Sequence, residues 1–219
     1  MVMKSAIITG FESFGNYVTN PSKWLALSAG SKMISDHLIH SMTFPSTVSV
    51  GEGLDNPGEL IIRRAKEIGA SAIVSFGIAS DAKGFRIERT GTNWVYNEKY
   101  CTDQENNRPL ETTRIDKEQI LNSLSCWDLE KMSSLFKDNN IPLEQEISDN
   151  PGFYSCNGLI YRTLLSMREN NLNIPYLFVH FPCTEESIEM IPDFDRKNKM
   201  LIKKELTLKA LELILKSYK

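Results

Sequence analysis

The chain has 219 residues, 41% hydrophobic and 24% charged, a balance that excludes disorder at a length able to bury its own core. A formal net charge of −3, with Lys and Arg scattered, offers no attraction to nucleic acid or an anionic membrane. No apolar run reaches the roughly 18 residues needed to span a bilayer. Met1-Val-Met-Lys4 enters a strand directly, without the build of a signal peptide, so a cytoplasmic protein is expected.

Strand-like and helix-like segments alternate along the sequence. Ser5 to Thr9 reads as a short buried strand ending at Gly10. Pro21 to Ala29 reads as a helix, with Asn20 as cap and proline at its first position. His37 to Phe44 is a second strand, and its two histidines, His37 and His40, read as surface residues. Pro57 to Ile68 is an amphipathic helix between the cap Asn56 and the stop Gly69. Ser71 to Phe76 is a β-branched strand ending at Gly77, Phe85 to Val95 is extended, and Thr102 to Thr113 is a polar loop or excursion. Leu129 to Lys137 is helical and Leu143 to Ile147 a short strand. Ser155 to Met167 is a helix, Tyr176 to His180 a buried strand, and Asn198 to Ser217 a closing amphipathic helix. This rhythm predicts an α/β fold: one domain over residues 1–219, a three-layer α/β/α sandwich with a mostly parallel central sheet.

Chemistry concentrates at two points. Asn150-Pro-Gly152 breaks the chain, and Leu159, Ile160, Leu164 and Leu165 then recur at helical spacing, which puts Cys156 in a first helical turn. Backbone N–H groups there lack intrahelical partners and the macrodipole is positive. Both favour a nucleophilic thiolate, and the same N–H groups can hold an oxyanion. Equally, Cys156 lies on the apolar stripe of its helix, where a free cysteine serves as a small buried hydrophobe. His180 closes an apolar strand, at the end where open α/β sheets place their ligand sites. A hydrogen-bonded core histidine is the plainer reading of it. Cysteines 101, 126, 156 and 183 form no CxxC pair and no metal-like cluster with histidine. Neither metal nor other cofactor is expected, and Cys101, Cys126 and Cys183 read as incidental thiols.

Four segments, read in order, resemble the pyroglutamyl peptidase I (pyrrolidone-carboxylate peptidase) family of cysteine peptidases. Thr9-Gly-Phe-Glu-Ser-Phe-Gly15 with Asn20-Pro-Ser22 is similar to the family's TGFEPFGG…NPS opening. Gly77-Ile-Ala79 with Ile87-Glu-Arg89 is similar to G-x-A…IER. Ser148-Asp-Asn-Pro-Gly-Phe-Tyr-Ser-Cys-Asn157 is similar to SxSAGxYxCN, and Phe178-Val-His-Phe-Pro182 to FIHVP. The resemblance implies a Cys-His-Glu triad at Cys156, His180 and Glu88. It also implies a pyroglutamyl pocket drawing on Phe11, Phe14, Phe153 and Tyr154. By its residues alone, Glu88 between two arginines reads as a surface ion-pair partner. Arg89 reads as charge support for the site or as an ordinary ion-pairing residue. The implied activity is removal of an N-terminal pyroglutamyl residue from a blocked peptide through a thioacyl-enzyme, in a homodimer or homotetramer.

Three departures surround this trio. Ser13 and Asn16 replace the proline and second glycine of the opening. The family's G-x-A-G-G-R loop becomes Gly77-Ile-Ala-Ser-Asp-Ala82, which leaves Lys83 or Arg86 as candidates for the missing cation. Its N-x-x-D-A-R-I-P-D-N segment becomes Asn93-Trp-Val-Tyr-Asn-Glu-Lys-Tyr-Cys-Thr102. Two alternatives follow: a cysteine amidase or peptidase retuned to another N-terminal group or lactam, and a catalytically weak binding or regulatory protein on the same scaffold.

Overall fold

The computed structural model describes residues 3–13, 19–46, 56–92, 95–96, 112–113, 121–122, 127–152, 154–189, 191 and 194–218. In chain order the elements are β1 (Lys4–Phe11), α1 (Pro21–Ala29), β2 (Met33–Ile34), β3 (His37–Phe44), α2 (Pro57–Ile68), β4 (Ala72–Ile78), β5 (Arg86–Glu88) and β6 (Thr90–Gly91). They continue with β7 (Val95–Tyr96), β8 (Thr112–Thr113), β9 (Leu121–Asn122), α3 (Leu129–Asp138), α4 (Ser155–Glu169), β10 (Tyr176–Phe181) and α5 (Glu205–Lys216).

Local sequence explains where the helices begin and end. Asn20 and Asn56 each accept a hydrogen bond from a first-turn N–H, that of Ser22 and that of Gly58, both at 3.0 Å. A proline follows each cap, already fixed at a helical φ. Gly69, at φ 60°, takes the left-handed conformation that ends α2.

Six strands form one sheet in the order β2-β3-β1-β4-β10-β5. Its four inner strands are parallel, and antiparallel β2 and β5 close the edges. Alternation along the inner strands feeds two cores. Ala6, Ile8, Val74, Phe76, Val179 and Phe181 face α1, α3 and α5. Ile7, Phe11, Ile73, Tyr176 and Phe178 face α2 and α4. Each fully buried aliphatic or aromatic side chain contributes roughly 1.5–3 kcal/mol, which is why both sheet faces need helical cover. The fold is α/β in three layers, as the segment rhythm predicts.

Some expectations are corrected. His37 is only 2% exposed, with Tyr218 from beyond α5 packed edge-on against its ring; it is no surface residue. Leu143 to Ile147 forms no strand: Leu143 and Ser148 make single bridges, to Phe85 and Glu88. The closing helix starts at Glu205 rather than Asn198, because Ile202 is held in a bridge to Thr184. Thr112 and Thr113, read as the end of a loop, pair with β7; residues 102–111 lie outside the described set.

Candidate active site

Cys156, His180 and Glu88 meet at the carboxyl ends of β4 and β10, on the α2/α4 side of the sheet. Strand pairing does most of the assembly. β10 runs between β4 and β5, with His180 opposite Gly77 on one side and Arg86 on the other. Phe178 lies opposite Glu88, so the Glu88 and His180 side chains emerge on one face of adjacent strands. His180 Nδ1 is 2.7 Å from Glu88 Oε1, and both side chains are buried. Glu88 Oε2 is buried with no partner among the described residues, so this carboxylate relies on the histidine for its compensation.

Cys156 comes from the opposite layer, as the second residue of α4 and partly exposed. Its sulfur and the His180 ring converge over Gly77, close enough for Cys156 to act on the charge of the imidazole. With Nδ1 engaged by Glu88, Nε2 is the ring nitrogen left for the sulfur. Gly77 makes room for this meeting. A Cβ on it would lie 2.9 Å from Cys156 Sγ, 3.1 Å from Phe178 Cζ and 3.2 Å from His180 Cδ2. Burial opposes the imidazolium, but Cys156 and then Glu88 outweigh it and push His180 up to about 10. The geometry thus sets the Cys156 sulfur beside a carboxylate-oriented imidazole that holds its proton readily, the pairing that nucleophilic cysteine chemistry uses.

Of the residues expected to bind substrate, Phe11 is 3% exposed and packs against Phe178, ring centroids 6.4 Å apart, in the same core that Cys156 touches. Tyr154 stands immediately before α4 and is 45% exposed. Phe14 and Phe153 lie outside the described residues. Arg89 is half-exposed and pairs with Asp149 through Nε at 2.7 Å and through Nη2.

Neither candidate for the missing cation is free. Arg86 holds Glu144 through two bonds, at 2.8 and 3.2 Å, and Asp81 at 3.2 Å. Lys83 Nζ donates to the Asn198 carbonyl. Burial opposes ionisation of Asp81, but the Arg86 guanidinium and, less strongly, His180 hold its carboxyl below the usual range. Where the family has an arginine, Ala82 is fully buried.

Three contributors carried no assigned role in the sequence reading. Gly77 and Asn157 sit inside the family-like motifs, which flagged them without saying what they do. Glu12 anchors the loop after Phe11: its carboxylate accepts from Thr43 Oγ1 at 2.8 Å and pairs with Lys23, and its carbonyl accepts from Ser46 and Asn20. Only the long-range contacts reveal these roles. Among the described residues, no group of three or more His, Cys, Asp or Glu could hold a metal ion, and no helix is long and apolar enough to cross a membrane.

The chain is similar in sequence and in fold to known proteins. A pyrrolidone-carboxylate peptidase of Brachyspira hyodysenteriae is 27% identical over 217 residues, covering 97% of each chain. That of Thermococcus litoralis is 25% identical over 214 residues, covering 98% of this chain and 92% of its own. Among solved structures, the Thermococcus litoralis pyrrolidone carboxyl peptidase superposes with a TM-score of 0.78 at 23% identity, covering 99% of this chain and 93% of that one. The pyroglutamyl peptidase I of Bacillus amyloliquefaciens gives 0.78 at 17% identity, over 99% and 95%. The sequence profile of the pyroglutamyl peptidase family matches residues 4–214, and the chain belongs to that family.

Proposed function

We propose that this protein is a cysteine exopeptidase that removes an N-terminal pyroglutamyl residue from peptides, with Cys156 as nucleophile, His180 as acid and base, and Glu88 as the group that orients His180. The observation that carries the reading is the buried Glu88–His180 hydrogen bond with the Cys156 sulfur converging on the same imidazole over Gly77, in a chain of this family.

The Cys156 thiolate attacks the pyroglutamyl carbonyl carbon, and the charge formed on oxygen falls near the N–H groups and positive dipole end of the first turn of α4. Protonated His180 gives its Nε2 proton to the departing amine, leaving a thioester on Cys156. Neutral His180 then takes a proton from water, the hydroxide attacks the thioester, and the released thiolate regains its imidazolium partner. Glu88 keeps the Nδ1 proton in place throughout and stabilises the cation. Phe11 supplies an apolar wall suited to a small neutral lactam.

A second reading, retuned specificity, is favoured by one observation. Asp81 and buried Ala82 stand in the loop where the family carries glycine and arginine, and Arg86 and Lys83 are engaged elsewhere. Hydrolysis of fluorogenic pyroglutamyl, prolyl and glutamyl amides under reducing conditions separates the two. Turnover of the pyroglutamyl amide, lost by roughly 10⁴-fold or more in Cys156→Ala, is the expected result. Turnover of another amide alone would transfer the same chemistry to a different substrate, and undiminished turnover in Cys156→Ala would discard the nucleophile.

A further inference from the structure

We infer that Asn157 is a positioning residue that fixes the nucleophile by pairing its carboxamide with the main chain of Thr92. The inference rests on the assignment of Cys156 as nucleophile and adds what holds it in register with Glu88 and His180. Asn157 is fully buried. Its Oδ1 accepts from the Thr92 N–H at 2.7 Å and from Thr92 Oγ1 at 3.0 Å, and its Nδ2 donates to the Thr92 carbonyl at 2.9 Å. One side chain thus satisfies both main-chain groups of Thr92, as a neighbouring strand would.

The position of this clamp gives it its consequence. Asn157 follows Cys156 directly, and Thr92 lies four residues beyond Glu88 on the same run of chain. That run is fixed from its other side: the Arg89 N–H donates to the Ser148 carbonyl at 2.8 Å, and Thr90 Oγ1 to the Asp149 carbonyl at 2.9 Å. The α4 cap residue Tyr154 makes no side-chain capping bond, and further along the helix Gly91 lies close against the main chain of Tyr161. Within the first turn of α4, the Asn157 carboxamide therefore ties Cys156 to the chain that follows Glu88. Aspartate has no donor for the Thr92 carbonyl, and glutamine adds a methylene that pushes the helix away.

The test is the rate of Cys156 alkylation by iodoacetamide, read by mass spectrometry of the modified peptide at about pH 6 and about pH 10. It compares wild type, Asn157→Ala, Asn157→Asp and the remote control Ser71→Ala, whose hydroxyl donates to the Ser5 carbonyl. Thermal melting checks folding. The expected result is a loss of about 10²-fold at the lower pH in both Asn157 variants, nearly equal rates at the higher pH, and unchanged behaviour of Ser71→Ala. On the proposed substrate, kcat falls while KM holds. If Asn157→Ala fails to fold, the isosteric Asn157→Asp decides.

A folded Asn157→Asp that reacts like wild type at about pH 6 overturns the inference, as does an equal loss in Ser71→Ala. No pyroglutamyl turnover together with the alkylation difference removes the substrate reading and leaves the positioning role standing. A wild-type Cys156 that is inert at the lower pH overturns both.

Discussion

The two halves of the site are held together by different physics. His180 and Glu88 stand on adjacent strands, β10 and β5, whose ladder sets their separation through main-chain bonds that any sequence can make. Cys156 stands on α4, a separate element in another layer. Its place depends on side-chain identity and on close approaches: Asn157 to Thr92, Gly77 beneath the sulfur, Gly58 beneath the helix. A ladder tolerates substitution along its length, whereas a single carboxamide or a missing Cβ does not. The helix-borne half is thus where single changes are expected to displace a reacting atom, and the strand-borne half is where they alter its protonation.

The largest effect tests the strand-borne half. In Glu88→Gln the fold and the strand pairing persist, but an amide N–H can now face His180 Nδ1. This selects the tautomer with a protonated Nε2, which cannot take the thiol proton. Turnover should fall by roughly 10³–10⁴-fold with the protein still folded. The sign of the pH effect follows from the same contact. Glu88 helps raise His180, so its neutralisation lowers the histidine by about 1–3 pH units, the usual effect of a close opposite charge. The imidazolium is fully present below the ordinary histidine range in either protein and is lost on the way up, near pH 10 in wild type and earlier in the variant. An alkaline limb of kcat that stays in place in Glu88→Gln would show that Cys156 alone raises His180.

Gly77→Ala acts where the halves meet and comes second. The new methyl would sit 2.9 Å from Sγ and 3.2 Å from the His180 ring, so the thiol or the imidazole must yield. A displacement near 1 Å costs about 10²-fold in rate. Alkylation of Cys156 should slow with it, while the melting temperature stays close to wild type. Full activity in Gly77→Ala would mean that the sulfur has slack, and that its contact with the strand is not what aligns it.

What the sequence disclosed follows the same division. Asn20-Pro21 and Asn56-Pro57 announce their helices because capping is a local act, and the inner strands are legible as apolar runs because both of their faces are covered. Cys156 in a first turn and His180 at a strand end were visible for the same reason. Glu88 was not: nothing local distinguishes a carboxylate between two arginines, and only the family resemblance singled it out before β10 placed it 2.7 Å from His180. Asn157 and Gly77 act through partners 65 and 79 residues away, and no periodicity encodes such distances. His37 failed in the other direction. With no cysteine near it in sequence it reads as a surface residue, but Tyr218, from the far end of the chain, covers the ring.

Gly58→Ala should have the smallest effect of the three, and it asks how firmly the body of α4 is set. Gly58 lies in the first turn of α2, and a Cβ there would stand 2.3 Å from the Arg162 carbonyl oxygen and 2.7 Å from the Thr163 nitrogen. Both belong to the α4 backbone, which cannot swing aside as a side chain can. Alanine favours helix over glycine by about 0.5–1 kcal/mol, but overpacking two helices costs about 1–3 kcal/mol. The net change is therefore destabilising, by about 1–2 kcal/mol, and the melting temperature should drop by a few degrees. Activity should fall only several-fold, since the clash lies nearly two turns from Cys156 and the Asn157–Thr92 clamp still holds the first turn. A drop in melting temperature with near-normal alkylation would place control of the nucleophile in the clamp. Loss of both together would show that the seating of the whole helix against α2 sets the sulfur, and the contrast between the two halves would then be one of layers rather than of single side chains.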